Sequence, residues 1–586
     1  MPITLKHLRA ACAGPALLTG AVFAATGASG QVVERNLPPA AAHVEDKVPV
    51  PASPSAGDSR PIGPPLNALI AINGNDSLAP VAAPTARVDL HRVSRLRGQE
   101  ARFARFVGKP ISRKLIAEIQ AEVVRLYRNS GHPFVHLSTP PQEISGGVLQ
   151  IRVLDIVLGK TKVAGADKGE AAYIARRVSL KPGDSIDKDA LSDDLDWLNR
   201  YPFRQTEVVF APSSEPGGTD LTLNETYQTP WSISAGYANS GSPNTGMERY
   251  FLVAQAHVPG VRDSLVSYQA TVSGDALFNG GNVFSSASRP RYQSQALRLT
   301  APTAPRQSFD LTVNYVRTNQ PFQIFLAEGT IVEATPSYRT ALSNLVRDLR
   351  GEVVVGLELK RDLSRITFGG IQVNQARIDV YQLLLGYGWR GDDWFGRTSL
   401  EANLHISPGG INRHNTDVAF GSFSTGRFTD SSYTLLNGTA SHSALLKGVT
   451  GLPQLRFDNT LIWQYASTAL PPTEQMGIGG VQLVRGYTLD DGAFDRGVIL
   501  RNEVRAEALS LTGKGDLASP YLFVDAGYVG TGRTGARVKA GSVGAGLDYR
   551  VGKHISLSAD AAMPFVSGGL TQRGHGRLEC RLSVAF

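Results

Sequence analysis

Cysteine is almost absent: of two in 586 residues, Cys12 lies in an N-terminal apolar run and only Cys580 remains downstream. One thiol cannot make an internal disulfide, so the small stapled secreted folds are excluded. Long apolar runs are missing as well. After residue 30 nothing approaches the ~18 uncharged apolar residues of a membrane-spanning helix, which excludes a helical membrane protein but not one built from strands. Charge is sparse at 19%, and the 59 Lys and Arg behind the net +8 are scattered. No basic block of the kind that binds nucleic acid forms, and no nucleic-acid partner is expected. Catalytic signatures are lacking too. The 11 His form no metal-spaced pair, there is no Gly-x-Ser-x-Gly elbow, and Gly477-x-Gly479-Gly480 lacks the strand-then-helix setting of a phosphate loop. The expectation is a protein with no metal, no cofactor and no enzymatic activity.

What is present begins with export. Lys6, His7 and Arg9 precede a small-residue apolar run at 10–25, and Ala24-Ala25-Thr26-Gly27-Ala28 offers residues suited to cleavage. This pattern predicts a secretory signal peptide over 1–30. Arg9 stands three residues before Cys12, where a lipoprotein signal needs an aliphatic residue. Residues 31–84 contain Leu37-Pro38-Pro39, Val48-Pro49-Val50-Pro51 and Gly63-Pro64-Pro65. Proline at that density removes backbone donors and favours extended chain, so the segment reads as a Pro-rich periplasmic linker, with a short apolar patch at 66–72.

From about residue 85 the pattern changes to α+β. Ser112 is placed as a helix N-cap, Leu115, Ile116, Ile119, Val123, Leu126 and Tyr127 recur at helical spacing, and Gly131 stops the helix. Strands are expected at 134–137 and 148–157. A second unit follows, with a strand at 160–163, helices at 170–178 and from about 187, and paired strands at 206–211 and 219–224. Two small α+β domains are therefore predicted, 85–157 and 158–228, each with a modest core.

Beyond 229 helical periodicity vanishes, and segments of about ten residues alternate apolar and polar. Phe309, Leu311, Val313 and Tyr315 alternate with Asp310, Thr312 and Asn314; the last strand sets Leu578, Cys580, Leu582, Val584 and Phe586 against Arg577, Glu579, Arg581, Ser583 and Ala585. Alternation also suits a soluble sandwich. The length without helices, the aromatics Trp231, Tyr237, Trp463, Tyr465 and Tyr528 near strand ends, and terminal Phe586 favour a transmembrane barrel over 229–586 of about 16 antiparallel strands.

Two motifs carry the chemistry. Val484-Arg485-Gly486-Tyr487 lies between two expected strands, and Phe523-x-Asp525-x-Gly527 lies on one. In the latter Leu522, Val524, Ala526 and Tyr528 point one way and Phe523, Asp525 and Gly527 the other. If the first set meets lipid, Asp525 faces the lumen and needs a cation, for which the planar fork of Arg485 is the natural candidate.

These motifs, behind two α+β units and before terminal Phe586, resemble the outer-membrane transporters of two-partner secretion, the hemolysin-activator type of the Omp85 superfamily. The likeness extends to Phe106-Val107-Gly108-Lys109-Pro110-Ile111-Ser112 and to Leu198-Asn199-Arg200-Tyr201-Pro202-Phe203-Arg204, and covers roughly 85–586. It implies that the two units are periplasmic POTRA domains, with Leu198, Asn199, Pro202, Phe203 and Arg204 as a POTRA motif. Arg485 would tip a loop folded into the barrel and bond to Asp525 on its wall. It further implies a secreted partner polypeptide, commonly a β-helical adhesin or cytolysin, which the POTRA domains capture unfolded by strand addition. Outer-membrane lipid surrounds the barrel, and Phe586 serves as the C-terminal signal read by the barrel assembly machinery. Many relatives plug the pore with an N-terminal helix; Pro38 and Pro39 interrupt that segment here, and plugging is left open. The alternatives are an assembly factor that inserts other barrels, which usually carries more POTRA units and Val-Arg-Gly-Phe, and a passive porin, which has no reason to carry POTRA units at all.

Overall fold

The computed structural model describes residues 34, 58–74, 76–80, 87–215, 217–283, 288–322, 324–346, 349–392, 395–446, 454–513, 515–532 and 535–586. The expected signal peptide and, apart from Glu34, residues 31–57 of the expected linker lie outside them. The described residues fall into two compact units, one of 58–229 with 304–306 and the other of Glu34 with 230–303 and 307–586.

In the α+β unit, β1 (Pro61–Pro65), β2 (Ala68–Asn73), β3 (Val88–Asp89), β4 (Pro110–Ser112), β5 (Val135–Ser138) and β6 (Val148–Asp155) form the first domain. Four of these strands make a sheet in the order β3-β2-β6-β5, while β1 pairs with β4. The linker expected to reach residue 84 therefore ends too late. The apolar patch at 66–72 is the centre of the sheet, with β2 parallel to both neighbours and Leu69, Ala71 and Ile72 fully buried. A strand covered on both faces reads as a continuous apolar run rather than an alternating one, and the prolines of β1 are tolerated because that strand has one ladder neighbour. Leu66 is tied at both backbone groups to the Gly108-Lys109 turn, at 2.8 Å each.

The helix Arg113–Asn129 covers this sheet. Ser112 Oγ accepts the Leu115 N–H at 3.1 Å, capping one of the donors a helix start leaves open. Leu115, Ile119, Val123 and Tyr127 form one buried stripe against Leu69, Leu149, Ile151 and Val153. Gly131 ends the run at φ +79°. On the same helix, Arg125 hydrogen-bonds Glu122 and holds its carboxyl below the usual range, with Arg105 adding attraction.

The second domain joins β7 (Val157–Ala164), β8 (Arg204–Pro212) and β9 (Gly218–Tyr227) in the order β7-β9-β8. Helices Lys168–Ala175 and Lys188–Asn199 pack Ile174, Leu191, Leu195 and Leu198 on Leu158, Leu221 and Leu223. Phe134 from the first domain joins this core, its ring 4.5 Å from that of Phe210.

From Pro230 the chain builds a closed barrel. Its strands are β10 (Trp231–Ala238), β11 (Arg249–His257), β12 (Leu265–Ser273), β13 (Tyr292–Pro302), β14 (Gln307–Phe322), β15 (Phe325–Ala341), β16 (Glu352–Phe368) and β17 (Ile371–Asp392). They continue with β18 (Gly396–Ser407), β19 (Tyr433–Leu446), β20 (Leu455–Ala466), and, after the short hairpin of β21 (Met476–Gly477) and β22 (Ala493–Phe494), β23 (Arg496–Ala506), β24 (Asp516–Gly530), β25 (Arg537–Val551), β26 (Ile555–Pro564) and β27 (Arg577–Ala585). Leaving out the hairpin, sixteen antiparallel strands close the ring, the number the strand spacing predicts. Closure follows from the solvent: each unpaired backbone group in hydrocarbon costs several kcal/mol, so a sheet there can keep no edge. On β16, Val355, Leu357 and Leu359 face out while Glu358, Lys360 and Asp362 are buried inward. Closure itself is the thinnest ladder, with five register pairs from Ser234↔Ala585 to Ala238↔Arg581, against sixteen between β14 and β15.

Candidate functional site

Between β20 and β23 the chain does not turn directly but sends residues 467–495 into the barrel, where most are buried. The segment holds its own shape. Val484 N–H donates to Ile478 O at 3.1 Å and Gly480 N–H to Tyr487 O at 2.9 Å. Asp495 accepts from Leu470 N–H (2.9 Å), Gln475 Nε2 (2.9 Å) and Gly532 N–H (2.7 Å), closing the base of the loop.

At its tip Arg485 is 1% exposed and Asp525 fully buried. Arg485 Nε and Nη2 donate to the two Asp525 carboxylate oxygens at 2.7 Å each, and its backbone N–H adds a third bond at 3.2 Å. Nη1 donates to Glu503 at 2.8 Å and lies 3.6 Å from Asp560. The guanidinium sits 3.6 Å above the Phe523 ring, an attraction strengthened by desolvation. Every position of the two motifs thus has a physical reason. Val484 is buried with Ile478, Ile499 and Val529. Gly486 takes φ +85°, which a side chain would strain. Tyr487 donates to Val566 O and accepts from Gly541 N–H at 3.1 Å. A Cβ on Gly527 would stand 3.0 Å from Val484 Cγ2, so glycine there lets the loop lie against the wall. Leu522, Val524 and Tyr528 are exposed on the outer face, as the alternation predicts.

Sequence reasoning brings Arg485 and Asp525 together and misses Glu503 and Asp560. Parity could have found Glu503, because on β23 Val498, Leu500 and Val504 face out, which turns Arg501, Glu503 and Arg505 inward. Glu503 is opposite Phe523 and Arg501 opposite Asp525 in the ladder.

The residues of the POTRA motif form a separate corner. Asn199 Nδ2 donates to Thr206 O at 3.0 Å while Thr206 N–H donates to Asn199 Oδ1 at 2.7 Å, so one amide side chain couples the helix end to β8. Arg204 is buried between Glu170 (3.0 Å) and Glu225 (3.3 Å), with Nη2 donating to Leu198 O at 3.2 Å. Phe203 is buried and stacks edge-on with Tyr201, while Pro202 lies exposed in the turn. At the chain's end, Phe586 is exposed and its N–H donates to Ile233 O at 2.9 Å.

Glu34, the only described residue before Asp58, is also in the barrel. Its carboxylate is bound by Arg249 Nη2 at 2.7 Å and Nε at 3.0 Å, and its carbonyl accepts the Tyr292 hydroxyl at 2.6 Å.

A closed barrel, a loop bolted to its inner wall through an arginine, and preceding POTRA domains define an outer-membrane transporter of the Omp85 type, with its POTRA domains in the periplasm. The family described as haemolysin secretion/activation protein ShlB/FhaC/HecB matches residues 217–551, and the ShlB-type POTRA domain matches 84–155. The chain belongs to this family, the two-partner secretion transporters that carry a secreted partner across the outer membrane. Among its relatives, the heme/hemopexin transporter protein HuxB of Haemophilus influenzae is 24% identical over 486 residues, covering 78% of this chain and 79% of HuxB. The outer membrane transporter CdiB of Dickeya dadantii is 22% identical over 457 residues, 74% and 73% of the two chains. The solved structure of CdiB from Escherichia coli has the same fold, with a TM-score of 0.64 at 16% identity and full coverage of both chains.

Proposed function

We propose that this chain exports a dedicated partner as an extended polypeptide and performs no enzymatic chemistry. The partner is a long β-helical protein of the adhesin or cytolysin kind, whose folding outside the cell draws the chain outward. Capture is by strand addition on β8, which pairs only with β9 among the described residues; main-chain hydrogen bonds along a sheet edge bind an extended chain with little demand on its sequence. The lumen loop then guides passage, and residues 484–487 with Phe523, Asp525 and Gly527 fix its position. In this reading the barrel assembly machinery reads the Phe586 end and inserts the barrel among outer-membrane lipids.

The observation that carries the reading is the loop itself: a porin has no use for a buried Arg485–Asp525 bolt beside POTRA domains. The test is secretion of a β-helical protein encoded beside this chain, in cells with the chain, without it, and with Arg485→Ala. Secretion lost in the deletion and at least tenfold lower in the variant, with the barrel still in the outer membrane, is the expected result. Normal secretion without the chain, together with defects in many other barrels, overturns it in favour of an assembly factor.

A further inference from the structure

The base of the loop carries a second ion pair that neither motif contains. Glu474, in the turn Pro472–Glu474, meets Lys360 of β16 with its two oxygens 2.8 and 3.0 Å from Nζ. Both side chains are buried, and Gln464 Nε2 secures the Glu474 carbonyl at 2.9 Å. In the ring order, β16 and β24 are separated by β17, β18, β19, β20 and β23. The loop is therefore fastened at two distant arcs of the wall, at Lys360 and at Asp525.

The Lys360 ammonium is shared. Glu358, inward on the same strand, lies 3.3 Å from Nζ, so two carboxylates compete for one cation. His405 Nδ1 is 2.8 Å from Glu358, and its Nε2 is 3.2 Å from Asn437 Nδ2. An amide nitrogen only donates, so Nε2 accepts and Nδ1 carries the proton toward Glu358. A polar cavity of about 280 Å³, lined by Glu358, Lys360, His405, Glu474 and Gln475, adjoins the pair and gives a released Glu474 a polar place to go.

We infer that Lys360 and Glu474 form a latch on the base of the lumen loop, independent of the Arg485–Asp525 bolt, and that Glu358 sets the latch's strength by competing for Lys360. This goes beyond the transport reading, and its test needs no partner protein. Two substitutions of opposite sign follow. Neutralising Glu474 removes the latch; neutralising Glu358 takes away one carboxylate that competes with Glu474 for Lys360 and tightens it, while the glutamine oxygen still accepts from His405.

The reporter is Thr473→Cys, a position 2% exposed beside the latch, in a Cys12→Ser, Cys580→Ser background. The purified full-length chain in liposomes is labelled with a membrane-impermeant maleimide, and barrel integrity is checked by heat-modifiable electrophoretic mobility. Lys360→Met and Glu474→Gln are expected to raise the labelling rate about a hundredfold or more, as loss of one buried ion-pair partner implies. Glu358→Gln lowers it, the swap Lys360→Glu with Glu474→Lys restores it, and Arg485→Ala leaves it within about twofold, the additivity expected of distant sites. Unchanged labelling in Lys360→Met and Glu474→Gln, or failure of the swap, overturns the latch. An unchanged or faster rate in Glu358→Gln overturns the competition, and a rise in Arg485→Ala matching that in Glu474→Gln overturns the independence. Loss of secretion has no part in any of these readouts.

Discussion

Two buried arginines organise this molecule, and they do different work. Arg204 bonds Glu170, Glu225 and the Leu198 carbonyl, all within one small domain whose hydrophobic core packs around Ile174 and Leu198. Arg485 bonds Asp525 and Glu503 from a loop that crosses the lumen of a barrel whose ladders close without it. The first arginine is part of what makes its domain fold. The second positions a segment inside a fold that stands by itself. A buried charge left without its partner costs about 3–5 kcal/mol in either place; what differs is the structure over which the cost is spread.

The largest effect follows from breaking each arginine in turn. Arg204→Ala removes the cation shared by buried Glu225 and partly buried Glu170, and the loss of about 3–5 kcal/mol is a large share of a small domain's stability. Limited proteolysis of the full chain is expected to cut before Thr229 while the barrel stays resistant. Arg485→Ala is expected to show the reverse, with resistant POTRA domains, an intact heat-modifiable barrel and cleavage confined to the tip of the loop, around residues 480–490. Cleavage of both variants at the same sites would erase the distinction.

A smaller effect ranks the carboxylates around Arg485. Asp525 takes three of its bonds and Glu503 one. With a charge-assisted bond worth about 1.5–3 kcal/mol, Asp525→Asn should reduce secretion about tenfold or more and Glu503→Gln only severalfold. Equal losses would mean that the site acts as one acidic cradle rather than a fork on one residue.

Smaller again is Gly527→Ala. Its Cβ meets the tip of Val484 at 3.0 Å and the Cγ1 atoms of Ile478 and Ile499 at 3.4 Å each, and a shift of a few tenths of an ångström accommodates it. The expected cost is about 1 kcal/mol, read as faster cleavage of the loop with the barrel unchanged; a loss as large as that of Arg485→Ala would place the loop's stability in apolar contact instead.

The smallest effect is set by pH in the first POTRA domain. Arg125 holds the Glu122 carboxyl below its ordinary value. A depressed folded-state pKa contributes stability that is complete above the unfolded value of 4.5 and is lost as pH falls through the folded value. Glu122→Gln should therefore cost at most about 1 kcal/mol at neutral pH and nothing in acid, seen in denaturation of the helical circular dichroism signal at the two pH values. A cost that persists in acid would mean packing, not charge.

The sequence made the bolt legible because both halves announce themselves: Arg485 sits among glycines between two alternating runs, and Asp525 is the one charge, at an inward position, in the stretch from Tyr521 to Gly530. Glu503 and Asp560 stayed hidden because they lie on other strands, and ladder register is not written in local pattern. The boundaries of the helix from Arg113 were legible through Ser112 and Gly131, which cap it physically. The start of the first domain was not. β2 opens with five apolar residues in a row, with no period to read, and β1 is written largely in proline, which reads as linker wherever a strand has few ladder bonds to make. Lys360 and Glu474 are separated by 114 residues and belong to no motif, so only the closed ring brings them together.

An even ring has a consequence for how the protein is made. β10 and β27 are antiparallel neighbours, so the chain joins and leaves the barrel at the same rim, and the ladder that seals the wall pairs Ser234 with Ala585, about 350 positions apart. No earlier strand can substitute. Until β27 has crossed the inner membrane and reached β10, the nascent wall keeps two raw edges, each able to pair with any other strand it meets. The time during which the newborn protein is open to misassembly is therefore governed by delivery of its last nine-residue strand.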